Sequence, residues 1–111
     1  MTEKRKHMDR HDTIAAIATA PGNGGIGIIR MSGPEAGPIL SRIFVPAGRE
    51  DNPPASHRMT YGRITDGTET VDECMAVFMQ APRIYPREDV AEIQIHGGSF
   101  VVNRVLELCL K

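Results

Sequence analysis

The sequence alternates short apolar runs with segments rich in glycine, proline and charge. Residues 14–19 form one apolar run and residues 26–32 a second, and runs of this length predict strands. Side chains alternate between the faces of a strand, so Arg30 shares a face with Ile26 and Ile28. An arginine on a partly apolar strand face is a candidate functional residue.

The middle of the chain predicts one helix and two further strands. Apolar residues recur at helical spacing from Ala36 to Phe44, and residues 45–54 lack periodicity and predict a loop. Asp66-Gly67 is a hairpin signal between strands predicted over residues 58–65 and 70–80. The segment 74–79 is apolar on both faces, which predicts a central strand covered on both sides.

The last segments predict a fifth strand and a second helix. In the strand over residues 89–96, the side chains of Glu92, Gln94 and His96 lie on one face. Ser99 is a candidate N-cap for the helix that follows, and no Gly, Asn or Pro closes that helix before Lys111. We therefore expect an α+β fold, a mixed five-stranded sheet with flanking helices, cut from a longer polypeptide. The charged residues 1–11 predict a disordered lead, and residues 12–111 form the domain.

Gly22, Gly24 and Gly27 have the G-x-G-x-x-G spacing of dinucleotide-binding loops. That pattern binds a pyrophosphate only where it opens a helix, and here β-branched residues follow, so the glycines are predicted to join two strands. The segment also lacks the Lys and Ser/Thr of a phosphate-binding P-loop. The sequence thus predicts a glycine-rich hairpin without bound nucleotide.

Composition excludes several other functions. The net charge of −1 provides no basic field for a polyanion or a membrane surface. Cys74 and Cys109 lack metal-type spacing, and no apolar signal segment precedes the domain, which predicts reduced thiols in a cytoplasmic protein. We expect no metal site and find no catalytic triad or carboxylate pair. The polar face of the fifth strand has two open interpretations, a solvated sheet face or a binding site.

Two motifs decide between these interpretations by resemblance. The segments "DTIAAIATAPGNGGIGIIRMSGPEA" and "APRIYPREDVAEIQIHGG" resemble the N-terminal domain of the bacterial tRNA modification GTPase family MnmE, also called TrmE. The resemblance runs from Asp12 to about Leu110. It implies a fold similar to tetrahydrofolate-binding domains of one-carbon enzymes, a homodimer, and helical and GTP-binding domains beyond this sequence.

The resemblance also implies a function. The family modifies the wobble uridine of certain tRNAs at ring carbon five, giving carboxymethylaminomethyl or aminomethyl groups, with a flavoprotein partner, MnmG or GidA. It uses formyl-tetrahydrofolate or another one-carbon folate, while GTP, potassium and magnesium belong to the GTP-binding domain. This chain is therefore expected to be non-catalytic itself.

The folate-contacting positions that the resemblance carries over are Arg30 and Glu92. A carboxylate can accept two hydrogen bonds from the adjacent donors of a pterin edge, and Arg30 can face a carbonyl or the folate carboxylates. The chain departs from the family at Asn23, where Arg is usual, and at residues 83–87, where Asn-Ser-Tyr/Phe-Thr-Gly is usual. The alternative is a structural module for dimerisation and partner docking without a working folate site.

Overall fold

The computed structural model describes residues 12–19, 25–48, 56–81 and 88–111, and the backbone of Glu3–Lys4. Within these residues the chain forms seven strands and two helices, which are, in chain order, β1 (Glu3–Lys4), β2 (Ile14–Ile17), β3 (Ile26–Ser32), α1 (Ala36–Ile43), β4 (Phe44–Pro46), β5 (Thr60–Thr65), β6 (Thr70–Met79), β7 (Val90–His96) and α2 (Ser99–Cys109).

The strands form one sheet in the order β1-β2-β3-β7-β6-β5-β4, and every pairing is antiparallel. The α+β class is confirmed, but the sheet is antiparallel rather than mixed and has seven strands rather than five. The prediction of a loop from residue 45 onward is wrong at its start, because strand β4 follows directly after α1. This strand has only three residues, too few to show an alternating pattern in the sequence. Glu3–Lys4 pair with β2, and the rest of the predicted lead lies outside the described residues.

Both helices pack on one face of the sheet, which we call the covered face. Its core residues include Ile29, Met31, Ala76, Ile93 and Val105, each with no exposed surface. Burial of such apolar side chains is the main stabilising contribution to a fold of this size.

The opposite face, which we call the uncovered face, has no helix against it in the described part of the chain. On β6, the side chains of Cys74, Ala76 and Phe78 are buried, whereas the residues between them are only half-buried. The prediction that this strand is covered on both sides is therefore wrong for the single chain. Its second apolar face is left partly open to solvent.

One contact fixes α2 against the sheet, and another joins α1 to the end of α2. Gly27 lies under Val102 of α2, where an added Cβ would come within 2.6 Å of the valine Cγ2 atom. Arg42 of α1 donates from Nη2 to the carbonyl of Leu108 at 2.7 Å and from Nη1 to that of Lys111 at 3.0 Å. It thereby satisfies carbonyls that the end of α2 leaves without helical partners. Neither helix described is long and apolar enough to cross a membrane.

The predicted hairpins are present where the structure describes them. Gly67 has φ +98°, and the Asp66 carboxylate accepts the backbone N–H groups of Thr68 and Glu69 at 2.8 and 2.9 Å. These bonds lower the pKa of Asp66. The strands on either side of the glycine-rich segment, β2 and β3, pair antiparallel, as expected for a hairpin.

Candidate functional site

The uncovered face places polar side chains from β7 beside apolar ones from its neighbours. Glu92 lies opposite Arg30 on β3 and opposite Val77 on β6. Gln94, two residues further along, lies between Ile28 and Met75. Facing residues on paired strands have Cβ atoms only about 4.5–5.5 Å apart, so these side chains share one surface.

Arg30 and Glu92, the two predicted site residues, form an ion pair. Arg30 Nε donates to Glu92 Oε2 at 2.8 Å, and Arg30 Nη2 donates to the same oxygen. Within the described part of the chain no hydrogen bond reaches Glu92 Oε1. The arginine side chain is 56% exposed and the glutamate 18% exposed. The carboxylate is thus held through Oε2, its other oxygen accepts no hydrogen bond from the described residues, and the guanidinium is exposed enough to turn.

A second polar contact lies at the start of β7. Ser32 Oγ, two residues beyond Arg30 on the same face of β3, donates to Glu88 Oε1 at 3.0 Å. This places a second carboxylate near the Arg30–Glu92 pair, so this end of the uncovered face is rich in acceptor oxygens.

The other end of β7 carries a histidine held by an aspartate that the sequence did not single out. His96 Nδ1 lies 2.8 Å from Asp72 Oδ1, and the backbone N–H of His96 donates to Asp72 Oδ2 at 2.9 Å. A carboxylate only accepts, so Nδ1 carries the proton in this bond. The histidine side chain is 73% exposed and the aspartate 13% exposed.

A shallow cavity of about 360 Å³ lies beside this histidine. In its lining, Tyr61 donates its hydroxyl to Glu73 Oε1 at 2.8 Å, a bond that raises the pKa of the tyrosine. The remaining lining residues, some through backbone atoms, are Gly25, Ile26, Cys74, Met75, Gln94, Ile95 and His96. Its walls therefore combine apolar surface with several hydrogen-bond acceptors.

Sequence reasoning missed Asp72 because a single carboxylate near the start of a strand is normally a solvated position. Its strand register provides the missing information. Met75 lies opposite Gln94, and continuing that antiparallel pairing places Glu73 opposite His96 and Asp72 one residue beyond, where its carboxylate meets the backbone and ring of His96. This alignment requires the sheet order, which no local pattern contains.

Other candidate chemistry is limited among the described residues. They contain no group of three or more His, Cys, Asp or Glu side chains that could hold a metal ion. Cys74 and Cys109 are free and buried, and burial raises the pKa of each thiol to about 12. Strand β3, not a helix, follows the glycine-rich segment, so the geometry needed for a dinucleotide fingerprint is missing there. Gly22, Asn23, Gly24 and residues 83–87 lie outside the described residues.

Comparison with known proteins identifies one matching family and several relatives that share a single name. Residues 13–111 match the family described as "GTP-binding protein TrmE N-terminus". The chain is 55% identical over 101 residues to a tRNA modification GTPase MnmE of Geobacter sulfurreducens, a match covering 89% of this chain and 22% of the relative. It is 55% identical over 100 residues to the protein of that name from Roseiflexus castenholzii, covering 89% and 21%.

A third relative is the tRNA modification GTPase MnmE of Listeria welshimeri, 52% identical over 100 residues, with 90% of this chain and 22% of the relative covered. The chain therefore spans about a fifth of the length of the curated relatives it matches.

Proposed function

The chain belongs to the TrmE N-terminal family, and on that premise we propose that it is the folate-binding and dimerisation domain of a tRNA modification GTPase. The whole protein would act in the cytoplasm on the wobble uridine of tRNA, with the flavoprotein MnmG. GTP, potassium and magnesium would bind in parts of that protein beyond this sequence. The chain itself would supply a one-carbon folate site and the contact with a second copy.

The observation that carries the folate proposal is the Arg30–Glu92 pair on the uncovered face. A pterin edge presents a ring N–H beside an exocyclic amine, and a carboxylate with an open oxygen accepts such donors. Glu92 Oε1, which accepts no hydrogen bond from the described residues, would take the first donor. Oε2 already accepts two bonds from Arg30, so a second pterin donor requires the guanidinium to turn away. Arg30 is exposed enough to do so, and it would then face a ligand carbonyl or carboxylate.

The same ion pair also favours the alternative, a structural module without a folate site. Arg30 and Glu92 satisfy each other across β3 and β7 and would brace the sheet without any ligand. An exposed pair of this kind contributes only about 0.2–1 kcal/mol, however, which is a small gain for a structural role. We therefore favour the folate site and use ligand titration to separate the two functions.

Calorimetric titration of the chain with formyl-tetrahydrofolate is the direct test. Glu92→Gln replaces one acceptor with a donor that faces a pterin donor, and an unmatched buried contact costs about 1–3 kcal/mol, so affinity should fall roughly tenfold or further. Arg30→Lys should also weaken binding because lysine lacks the planar fork. The matched control is Glu107→Gln, which changes an exposed glutamate of α2 on the other side of the sheet from Glu92. It should leave affinity unchanged. Equal affinities for Glu92→Gln and the unaltered chain would support the structural module instead.

The dimerisation proposal is supported by the apolar part of the uncovered face. Met79 and Val90 pair across β6 and β7 there and are only half-buried in the single chain. A second copy would remove this surface from water. Met79→Glu should therefore weaken self-association in light scattering, because a charge would be buried without a partner. Phe100→Glu, an equivalent change at an exposed apolar residue of α2, should leave it unaltered.

A further inference from the structure

We propose that a positively charged cleft at the end of the helical layer binds a phosphate group of the tRNA backbone. The cleft lies between the ends of α1 and α2 and the turn at Asp66-Gly67. Neither Arg30 nor Glu92 lines it. The proposal rests on the proposed function, which gives the whole protein a tRNA substrate, and it adds a place on this domain where that substrate is held.

The charges that line the cleft do not balance. Arg42 comes from the last turn of α1, Arg104 lies on α2 and Lys111 follows that helix. Asp66 is the one carboxylate in the described lining, which therefore has an excess of two positive charges although the whole chain has a net charge of −1. Cations brought together in this way repel one another, and a bound anion would remove that repulsion.

The two arginines keep hydrogen-bond donors for a ligand. A guanidinium has five N–H donors in a planar fork that suits phosphate oxygens. Arg42 donates to two backbone carbonyls at the end of α2, and Arg104 Nη2 donates to Asp66 Oδ2 at 2.9 Å. These bonds orient both side chains and leave the greater part of their N–H donors for an oxyanion. Arg42 and Lys111 are also exposed, so an incoming ligand can reach them.

The negative groups near the cleft are compensated within the fold. The end of α2 would by itself disfavour an anion, because a helix has a partial negative charge at its C-terminus. The two bonds from Arg42 offset that charge. The Asp66 carboxylate is bonded to Arg104 and to two N–H groups of its own turn. By contrast, Arg42 and Lys111 form no ion pair with a carboxylate among the described residues.

The size of the cleft suits a phosphate group and not a whole nucleotide chain. Its volume is about 300 Å³, roughly ten times the share of one water molecule in the liquid. A phosphodiester group would enter it while the sugars and bases stay outside. Contacts to phosphate fix the position of a nucleic acid and do not read its sequence, so the cleft would hold the tRNA without selecting particular bases.

The test measures binding of an unmodified tRNA transcript to the chain by fluorescence anisotropy at several salt concentrations. Lys111→Gln removes one positive charge from the cleft. Loss of one phosphate contact should reduce the slope of log K against log salt by about 0.7–0.9, which means about tenfold weaker binding at 50 mM salt and about twofold at 500 mM. Arg63→Gln removes the same charge at an exposed position of β5 outside the cleft and should leave the slope unchanged.

A second pair of variants tests the cleft from its other wall. Thr68 is exposed in the turn that lines the cleft. Thr68→Glu adds a carboxylate there and should weaken tRNA binding at 50 mM salt by at least as much as Lys111→Gln does. Thr68→Gln has a side chain of similar size without the charge and should change binding less than about twofold. Thermal unfolding of each variant establishes that the fold is kept, and all four should bind formyl-tetrahydrofolate as the unaltered chain does.

The outcomes separate the inference from the proposed function. If Lys111→Gln and Arg63→Gln give the same salt slope, or Thr68→Glu binds tRNA as tightly as Thr68→Gln, the cleft does not hold the tRNA and the inference is wrong. If the unaltered chain binds inorganic phosphate but not the transcript at the same salt concentration, the cleft is a site for free phosphate, which also overturns it. The folate function stands in these cases as long as formyl-tetrahydrofolate binds. If the unaltered chain binds neither tRNA nor folate, the proposed function and the inference both fail.

Discussion

Adding one methyl group at Gly27 should destabilise the whole domain by moving α2 off the sheet. An alanine Cβ at this position would lie 2.6 Å from Val102 Cγ2, whereas carbon atoms in favourable contact are about 3.5–4.0 Å apart. A shift of about 1 Å is therefore needed. Val102 is β-branched and has essentially one favoured rotamer in a helix, so the helix must move rather than the side chain.

The expected cost is about 1–3 kcal/mol, the usual range for overpacking a filled core. Against a typical total of about 5–15 kcal/mol this loss is easily measured by urea unfolding. Gly25→Ala is the matched control, because Gly25 immediately precedes the same strand and an added Cβ there meets nothing within 4 Å. It should change the free energy of unfolding by no more than about 1 kcal/mol.

A double variant separates the steric explanation from a backbone effect. Val102→Ala removes the atom that the new methyl group would meet, so Gly27→Ala should cost less in that background than in the unaltered chain. If Gly27→Ala unfolds at the same urea concentration as Gly25→Ala, or if its cost is unchanged when Val102 is shortened, the contact between β3 and α2 does not have the importance assigned to it.

Two further predictions concern the helix end and the thiols. Arg42→Gln should lower stability by about 1–2 kcal/mol because the carbonyls at the end of α2 lose a charged donor, and Arg63→Gln, at an exposed position of β5, should change stability little. Cys74 and Cys109 should resist a thiol reagent at pH 8 in the folded chain and react on unfolding; rapid labelling without unfolding would contradict their burial. The pKa of each thiol is higher in the folded chain than in the unfolded chain. The stabilisation that comes from keeping the thiols protonated is therefore complete below about pH 8.5 and is lost as the pH rises from there toward 12.

The sequence predicted most elements because their signals are local. The limits of β3 follow from its apolar run, and the hairpin at Asp66-Gly67 follows from the need for a positive φ. Arg30 and Glu92 were singled out by resemblance, and the structure adds that they are direct cross-strand neighbours. Their ion pair depends on β3 lying beside β7, a non-local pairing that no periodicity contains.

The errors have the same physical origin. Residues 74–79 are apolar on both faces of the strand. This local pattern does not show whether the chain itself supplies a layer against the second face. The contact between Asp72 and His96 joins residues 24 positions apart and requires the register of β6 on β7. Strand β4 has only three residues, fewer than are needed to show alternation.

The two borders of the sheet limit how copies of this domain can meet. A sheet whose outermost strands expose many unpaired N–H and C=O groups can extend into a second molecule by adding strands. Here β1 has two residues, and β4 has three and ends at Pro46, which has no N–H to donate. Among the described residues, neither border strand is long enough to act as a template for such growth. The proposed contact with a second copy would then use the broad surface of the sheet, which a single partner can cover, rather than strand addition that can continue into an open-ended fibre.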